Sequence, residues 1–176
     1  MLATKLATFG GGCFWCTEAC FLRVKGVSKV VSGYAGGKDP SPSYKKICDG
    51  LSDHAEVIQV TYDPNVVSYL NLLKAFFASH DPTTLNRQGN DVGTQYRSII
   101  LYHDEEQHQA AKHFLDQMNK TVYSGKVVTE LTKLEKFFPA EDYHQNYYAL
   151  NPGQGYCMGV VSKKVKNFLA TYNPDA

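Results

Sequence analysis

Residues 6–16 read LATFGGGCFWC, and this stretch predicts where the chain passes from a strand into a helix. The short apolar run 6–9 is typical of a strand, and the three glycines after it predict a tight loop. The helical spacing of the apolar residues that follow predicts a helix over residues 13–25. Cys13 therefore falls at the junction between a strand and a helix.

The pattern outward from this stretch predicts an α+β domain. Further strands are predicted over 27–34, 54–62, 97–103 and 127–134. Further helices are predicted from Ser68 to the His-Asp-Pro at 80–82, and over 104–119, 139–150 and 160–172, with a short turn over 44–48. Residues 36–42, 87–96 and 151–155 are predicted loops. Irregular alternation with short connections indicates two layers, with helices packed against a mixed or mostly antiparallel sheet.

Length and charge exclude several classes of protein. The 176 residues are enough for a single domain, and 43% hydrophobic with 20% charged residues is typical of a globular protein. The 18 basic and 17 acidic residues leave a net charge of +1, which gives no basis for binding nucleic acid or an anionic membrane surface. No stretch approaches the roughly 20 apolar residues of a membrane span.

The cysteine count indicates a reducing compartment. Five cysteines cannot form a fully paired disulfide framework. Residues 1–9 lack the long apolar run behind a charged region that marks a signal peptide. We therefore expect a cytoplasmic protein whose thiols are either buried small hydrophobes or reactive groups.

Cys13 is the strongest candidate for chemistry. Free N–H groups and the positive dipole end at a helix N terminus stabilise a thiolate, which predicts a lowered pKa. The alternative is a buried cysteine that begins an amphipathic helix, but the glycines before Cys13 favour a reactive thiol. From the residues alone, Phe14 and Trp15 fit core packing and a pocket wall equally well.

The other cysteines leave two further interpretations open. Cys13 and Cys16 lie one helical turn apart, about 5 Å, which suits redox chemistry. With Cys20 they suggest a metal-binding module, although no nearby histidine or second pair completes the four ligands of a closed zinc site. Cys20 and Cys48 are most simply buried hydrophobes.

A cysteine hydrolase is the third interpretation. In that mechanism Cys13 attacks as nucleophile, and a histidine further along the chain acts as its base. His144 fits this order, with Asn146 or Asn151 as the residue that orients it. The sequence around Cys13, however, differs from the papain-type signature.

Segments along nearly the whole chain resemble the methionine sulfoxide reductase A family. The run FGGGCFWC at 9–16 closely resembles the active-site motif of that family. Other matching segments, in family order, are SGYAGG at 32–37, PSY at 42–44, HAEV at 54–57, HDP at 80–82, RQGND at 87–91, GTQYR at 93–97, EDYHQ at 141–145 and GYC at 155–157. The resemblance implies one domain over residues 1–176, with a ferredoxin-like two-layer core.

The resemblance also implies the roles of individual residues. Cys13 matches the nucleophile that attacks the sulfoxide sulfur, and Glu56 matches the acid that protonates its oxygen. Glu56 shares a strand face with apolar neighbours, Ile58 and Val60, which predicts a raised pKa. The tyrosines that match those facing the sulfoxide oxygen, and the carboxylate that matches the one beside them, are Tyr44, Tyr96 and Asp91.

The same resemblance implies the wall of the substrate pocket. Phe14 and Trp15 match the apolar surface that holds the terminal methyl group, which favours a pocket wall over core packing. His144 and Tyr147 match supporting residues of the same pocket. An apolar wall opposite a hydrogen-bonding wall predicts selection for one sulfoxide epimer, which in this family is the S epimer.

The implied cycle ends in a disulfide. Attack leaves Cys13 as a sulfenic acid, a second thiol condenses with it, and thioredoxin or another dithiol reduces the bond. Many members have glycine at the position of Cys16 and carry two tail cysteines, whereas here the tail 151–176 has only Cys157. Glycines before Cys157 predict a mobile tail. Because Cys157 falls in the matching segment GYC, the resemblance favours it over Cys16 as the resolving thiol. We expect a monomer without metal or organic cofactor that repairs proteins after oxidative stress.

Overall fold

The structure, a computed structural model, describes residues 3–174. Its strands are β1 (Lys5–Gly10), β2 (Val27–Ala35), β3 (Ala55–Tyr62), β4 (Arg87–Gln88), β5 (Asp91–Val92), β6 (Ile99–Tyr102), β7 (Glu130–Lys133) and β8 (Phe138–Pro139). Its helices are α1 (Phe14–Phe21), α2 (Tyr44–Cys48), α3 (Tyr69–Ser79), α4 (Glu105–Thr121), α5 (Tyr147–Leu150) and α6 (Ser162–Thr171). The predicted domain limits at 1 and 176 lie outside the described residues.

The central sheet has a ferredoxin-like core. Strand order is β7-β6-β1-β3-β2-β8. The inner part, β6-β1-β3-β2, is antiparallel at each pairing, and α1 and α3 connect its strands in the order βαββαβ. At the edges β7 runs parallel to β6, and β8 runs antiparallel to β2. The predicted mixed α+β architecture is confirmed.

The helices cover one face of the sheet. Phe9 of β1 stacks on Phe21 of α1 and on Phe76 of α3, with ring centroids 5.6 and 5.0 Å apart. These rings are fully buried, and they join Ile58 and Val60 of β3 in a single core. Burial of large aromatic side chains is the main stabilising contribution here.

The pleat of β3 directs Glu56 into that core. Alternate residues of a strand point to opposite faces, so Glu56 shares a face with Ile58 and Val60. Its side chain reaches the backbone of α1, and the residue is 2% exposed. On the opposite face, Val57 packs in a smaller cluster with Ile99 and other apolar residues. The predicted orientation of Glu56 is therefore confirmed.

The predicted helix over 139–150 is wrong. The segment divides into β8, a 3₁₀ turn over Asp142–His144, and the short helix α5. The side-chain amide of Gln145 both donates to and accepts from the backbone of Ser32 at 2.9 Å, and this ties the segment to the sheet. Asn146 then takes a left-handed conformation with φ of 55°, which interrupts any helix.

Smaller differences affect other elements. Helix α1 ends at Phe21, before the predicted limit at 25, because the chain turns through Gly26 at φ of 96°. The predicted loop 87–96 contains the hairpin β4–β5 and a 3₁₀ turn over Thr94–Tyr96. Both changes shape the surroundings of Cys13.

The C-terminal segment packs against the core. A π turn over Cys157–Val161 leads directly into α6, which contacts α1 and α3. Cys157 and Phe168 are fully buried. Mobility of this segment stays a prediction. Within residues 3–174, none of the helices is both long and apolar enough to span a bilayer.

Candidate active site

Cys13 lies between β1 and α1, as the sequence predicts. Its backbone is extended, and its carbonyl oxygen accepts a hydrogen bond from the N–H of Cys16 at 3.0 Å. Gly12 has φ of 86°, and a Cβ there would stand 2.7 Å from Cγ of Gln88. Both observations require glycine at this position. The loop thus fixes Cys13 in a site where it is only 7% exposed.

Burial raises the pKa of the Cys13 thiol well above its usual value. The hydrogen bond with Cys16 and the charge of Glu56 act in the same direction, and the N–H of Trp15 opposes them. The predicted lowering of this pKa is therefore wrong, because desolvation outweighs the helix N terminus.

Glu56 of β3 places a buried carboxyl at the start of α1, next to Cys13 in the site. Burial raises the pKa of its carboxyl to about 8, against the lowering effect of the Phe14 N–H, which donates to Oε1 at 3.2 Å. The charges of Asp91 and Cys16 raise it further. A carboxyl group with this pKa is mostly protonated at neutral pH, which suits a general acid.

Tyr44 and Tyr96 bring hydroxyl groups toward the same carboxyl. Burial raises the pKa of both, and the charges of Glu56 and Cys13 contribute in each case. Both tyrosines therefore remain protonated hydrogen-bond donors. The backbone N–H of Tyr44 donates to Glu141 at 3.0 Å, which fixes the start of α2.

Cys48 differs from its prediction as a buried hydrophobe. It is exposed, because Ile47 is the residue of α2 that turns into the core. The Tyr44 hydroxyl donates a hydrogen bond to its thiol. Cys48 therefore lies beside the site, whereas Cys20 is fully buried as predicted, with a pKa raised to about 12 by burial.

Asp91 enters the site from the hairpin β4–β5. Its carboxylate accepts a hydrogen bond from the hydroxyl of Tyr156, whose ring meets Trp15 edge-on at 5.9 Å. Burial raises the pKa of Tyr156, and the charges of Cys13 and Cys16 raise it further. Sequence reasoning missed Tyr156, although it lies within the matching segment at 155–157.

Aromatic rings form the wall beside Cys13. Trp15 stacks on Tyr147 with centroids 3.8 Å apart, and Phe14 stacks on Tyr44 at 6.5 Å. His144 packs against Tyr44 at 4.2 Å. Phe14 is fully buried while Trp15 is half-buried, so the two residues together serve both the core and the wall.

The tautomer of His144 follows from its partner. Its Nδ1 accepts a hydrogen bond from Nε1 of Trp15 at 3.1 Å, and burial lowers its pKa. The neutral ring must therefore carry its proton on Nε2, which is buried and has no hydrogen-bond partner among the described residues. An unpaired donor in this wall is available to a ligand.

Two carboxylates, the buried Glu18 and the half-buried Glu141, hold the wall in place. Glu18 of α1 accepts from the backbone N–H of Asn146 at 3.0 Å and from the hydroxyl of Ser32 at 3.2 Å. Glu141 accepts from the hydroxyl of Tyr34 at 2.8 Å as well as from Tyr44. Sequence reasoning missed both roles. A signal existed for Glu18, since it is the one acidic residue in the otherwise apolar segment FWCTEACF.

The comparisons with known proteins agree with this geometry. The sequence profile described as peptide methionine sulfoxide reductase matches residues 5–176. The chain belongs to the peptide methionine sulfoxide reductase A family. It is 58% identical over 167 residues to the protein named peptide methionine sulfoxide reductase MsrA from Nautilia profundicola, with 95% of each chain covered. It is therefore an oxidoreductase of this family.

Solved structures share the fold of this reductase. Reduced Mxr1 from Saccharomyces cerevisiae superposes with a TM-score of 0.82 at 37% identity, covering 88% of this chain and 89% of Mxr1. Mxr1 in complex with Trx2 superposes with a TM-score of 0.57 at 27% identity, covering 82% of this chain and 84% of Mxr1. The predicted family and fold class are confirmed.

Cys16 and Cys157 are the two candidate resolving thiols of the reductase. Cys16 forms a side-chain hydrogen bond with Cys13, which lowers the pKa of Cys16. Cys157 lies within electrostatic reach of Cys16, since the charge of Cys16 raises the pKa of the Cys157 thiol. All three are buried. Cys13 and Cys157 therefore each interact with Cys16.

The rival interpretations find little support in the described residues. His144 accepts from Trp15 and makes no hydrogen bond to Cys13, so the pair required for a cysteine hydrolase is not formed. Asn151 donates to the backbone of Tyr147 and does not orient His144. Within residues 3–174, no group of three or more histidine, cysteine or acidic residues is arranged to hold a metal ion.

Proposed function

We propose that this reductase converts the S epimer of methionine sulfoxide, free or within proteins, to methionine. The observation that carries this proposal is the proximity of a thiol and a protonated carboxyl in one dry site. The Glu56 carboxyl accepts a hydrogen bond from the backbone N–H of Phe14, the residue after Cys13, and the pKa of Glu56 is about 8. Sulfoxide reduction needs a nucleophile on sulfur and a proton on oxygen, and this pair supplies both.

The reaction is balanced by these groups. Cys13 attacks the electrophilic sulfur and an S–S bond forms, while Glu56 protonates the oxygen and takes up the thiol proton in exchange. The new S–S bond and the S–O bond of the substrate then break as the oxygen is transferred to Cys13, which becomes a sulfenic acid. The sulfoxide is reduced to the thioether, and Cys13 is oxidised. Tyr44 and Tyr96 are the donors that hold the oxygen as it gains charge. Asp91, fixed by Tyr156, orients these neighbours and the water around them.

The aromatic wall supplies selection for substrate. Phe14 and Trp15 offer an apolar surface to the terminal methyl group of the substrate. Tyr147 stacks on Trp15, and His144 presents its Nε2–H to the substrate backbone or oxygen. When the substrate's methyl group packs on this wall and its oxygen accepts hydrogen bonds from the tyrosines, only one configuration at sulfur fits the site. We propose that this is the S epimer.

Regeneration uses the remaining thiols in order. Cys16, hydrogen-bonded to Cys13, condenses with the sulfenic acid and releases water. Cys157 then attacks the Cys16 sulfur by thiol–disulfide exchange, so that a Cys16–Cys157 bond forms, the Cys13–Cys16 bond breaks and the Cys13 thiol is released. The sequence favoured direct resolution by Cys157, and the hydrogen bond between Cys13 and Cys16 favours this relay instead.

We also propose thioredoxin as the reductant. Mxr1, which shares this fold, has been solved in complex with Trx2. The proposed route needs a dithiol donor and draws on no metal or organic cofactor, since cysteines and Glu56 supply electrons and protons. A cytoplasmic monomer that repairs oxidised proteins under oxidative stress is consistent with free thiols at this site.

Separated epimers of N-acetylmethionine sulfoxide test this function. With excess dithiothreitol, the wild-type protein should consume the S epimer and leave the R epimer. Cys13→Ser should abolish turnover, whereas Cys20→Ser, which alters a buried thiol away from the reaction path, serves as the matched control. No loss of the S epimer, or equal loss of both epimers, would contradict the proposal.

A further inference from the structure

Lys164 is a buried cation whose position needs an explanation. It lies on α6, and its Nζ atom is inaccessible to solvent and has no hydrogen-bond partner among the described residues. An ammonium group without a hydrogen-bond partner is unfavourable away from water. By contrast, the adjacent Lys163 is exposed, as expected for lysine on an amphipathic helix.

The ammonium group faces the loop before Cys13. Nζ of Lys164 stands 3.5 Å from the position that a Cβ would take on Gly12. The same side chain lines a cavity of about 660 Å³ together with His80 and Gln88, whose side chains pack against the glycine loop. Lys164 therefore approaches the start of α1 from the side of the cavity.

The charge of Lys164 acts on three titratable groups, which are Cys16, Cys20 and His80. Helix α6 packs directly on α1, and Cys16 is fully buried on α1. The positive charge of Lys164 favours the thiolate form of Cys16 and of Cys20. His80, beside the same cavity, has a pKa lowered to about 4 by burial and is neutral, so it does not compete for that charge.

Other groups also face Cys16. They are Cys13 and Tyr156, which offer hydrogen bonds, and Asp91, Glu56, Cys20 and Cys157, which interact with it electrostatically. The single hydroxyl proton of Tyr156 is directed to Asp91. Asp91 is negative and disfavours a thiolate. The positive charge of Lys164 acts against this acid and adds to the effect of the hydrogen bond with Cys13.

We propose that Lys164 is a positioning residue that holds Cys16 as a thiolate, so that Cys16 is the thiol that attacks the Cys13 sulfenic acid. This inference rests on the proposed function. In the step, the Cys16 thiolate attacks the sulfenic sulfur, an S–S bond forms and the S–O bond breaks. Cys16 is oxidised, the sulfenic sulfur is reduced, and the leaving hydroxide takes a proton to become water.

Single-turnover kinetics across pH separate this role from a structural one. Reduced protein is mixed with S-epimer substrate without reductant, and methionine release, sulfenic acid and the Cys13–Cys16 disulfide are followed separately. A cyclic 1,3-dione traps the sulfenic acid. In Lys164→Met, disulfide formation near neutral pH should slow about tenfold, and its pH profile should move to higher pH, since one pKa unit changes the thiolate fraction tenfold.

Three further variants complete the test. Lys164→Arg keeps the charge and should restore most of the rate, and Lys163→Met should behave as wild type. If Lys164→Met does not fold, Lys164→Gln, which keeps a polar side chain without charge, replaces it and is judged by the same readout.

Two results would overturn the inference. One is an unchanged rate and pH profile of disulfide formation in the uncharged variants; the other is an Arg variant no faster than Met. Loss of methionine release from the wild-type protein would be a failure of the proposed function instead. If the uncharged Lys164 variants release methionine at the normal rate and form the disulfide unaltered, the role of Lys164 is rejected and the proposed function is not.

Discussion

At the scale of single residues, Glu56 is the proposed proton donor. Its pKa of about 8 means that the acid form is lost as pH rises through that value, so the rate of sulfoxide reduction should fall there. Glu56→Gln should slow methionine release roughly 100-fold or more and remove this alkaline fall, because an amide cannot deliver a proton.

Rapid-quench measurement of methionine release against pH checks this prediction. Glu106→Gln, at an exposed position on α4, is the matched control and should keep the wild-type profile. Alkylation of Cys13 should persist in Glu56→Gln, which shows that the nucleophile is intact. An alkaline fall that survives in Glu56→Gln would mean that another group is the acid.

The Tyr44 hydroxyl tests the proposed oxygen site. It now donates to the thiol of Cys48, and substrate binding must redirect it to the sulfoxide oxygen. Tyr44→Phe should lower kcat by roughly 10-fold to 100-fold, since one donor to a developing charge is lost. Tyr102→Phe is the control, because Tyr102 stacks on His108 outside the site. Equal kcat values in steady-state assays of the two variants would contradict the assignment.

At the scale of elements, the Glu18 carboxylate connects α1 by a hydrogen bond to the segment before α5. Glu18→Ala would leave the N–H of Asn146 unsatisfied, at about 1–3 kcal/mol of the free energy of unfolding. Glu18→Ala should also raise KM more than it lowers kcat, because His144 and Tyr147 of the aromatic wall lie close to Asn146 in the chain. Urea denaturation and steady-state kinetics measure both effects. Glu18→Gln retains an acceptor and should lose less of each.

Helix α6 should contribute to stability through its buried face. Phe168 is fully buried beneath it, whereas the neighbouring Leu169 is 60% exposed. Phe168→Ala should lower the free energy of unfolding by about 3–5 kcal/mol, and Leu169→Ala by less than about 1 kcal/mol. Chemical denaturation compares the two variants. Similar losses would show that α6 is not docked as described.

The local sequence predicted helices and strands correctly where the spacing of hydrophobic residues and the positions of turn residues indicated the same element. The strand–glycine–helix junction at Cys13 and the face of β3 that carries Glu56 are examples. The segment 139–150 could not be predicted in this way, because its path depends on Gln145 bonding to Ser32, more than a hundred residues earlier in the chain. Tertiary hydrogen bonds override helical propensity there.

At the scale of the whole molecule, the site is assembled from distant segments. Cys13, Glu56, Asp91 and Tyr156 come from four separate segments. The ferredoxin-like core supplies Cys13 and Glu56, and the hairpin β4–β5 and the C-terminal segment add Asp91 and Tyr156. The residues alone indicated Cys13, and family resemblance indicated Glu56, the tyrosines and Asp91. Neither indicated Lys164, because a lysine on an amphipathic helix has the same sequence pattern whether its ammonium is solvated or buried.

The central claim is that Cys13 takes the oxygen of the sulfoxide. The most direct measurement is a single turnover of fully reduced protein with the S epimer and no reductant, followed by quantitation of methionine and disulfide mapping by mass spectrometry. The account predicts methionine release together with, at the earliest times, a sulfenic acid on Cys13 or a Cys13–Cys16 disulfide. Methionine release by Cys13→Ser at the wild-type rate would contradict it.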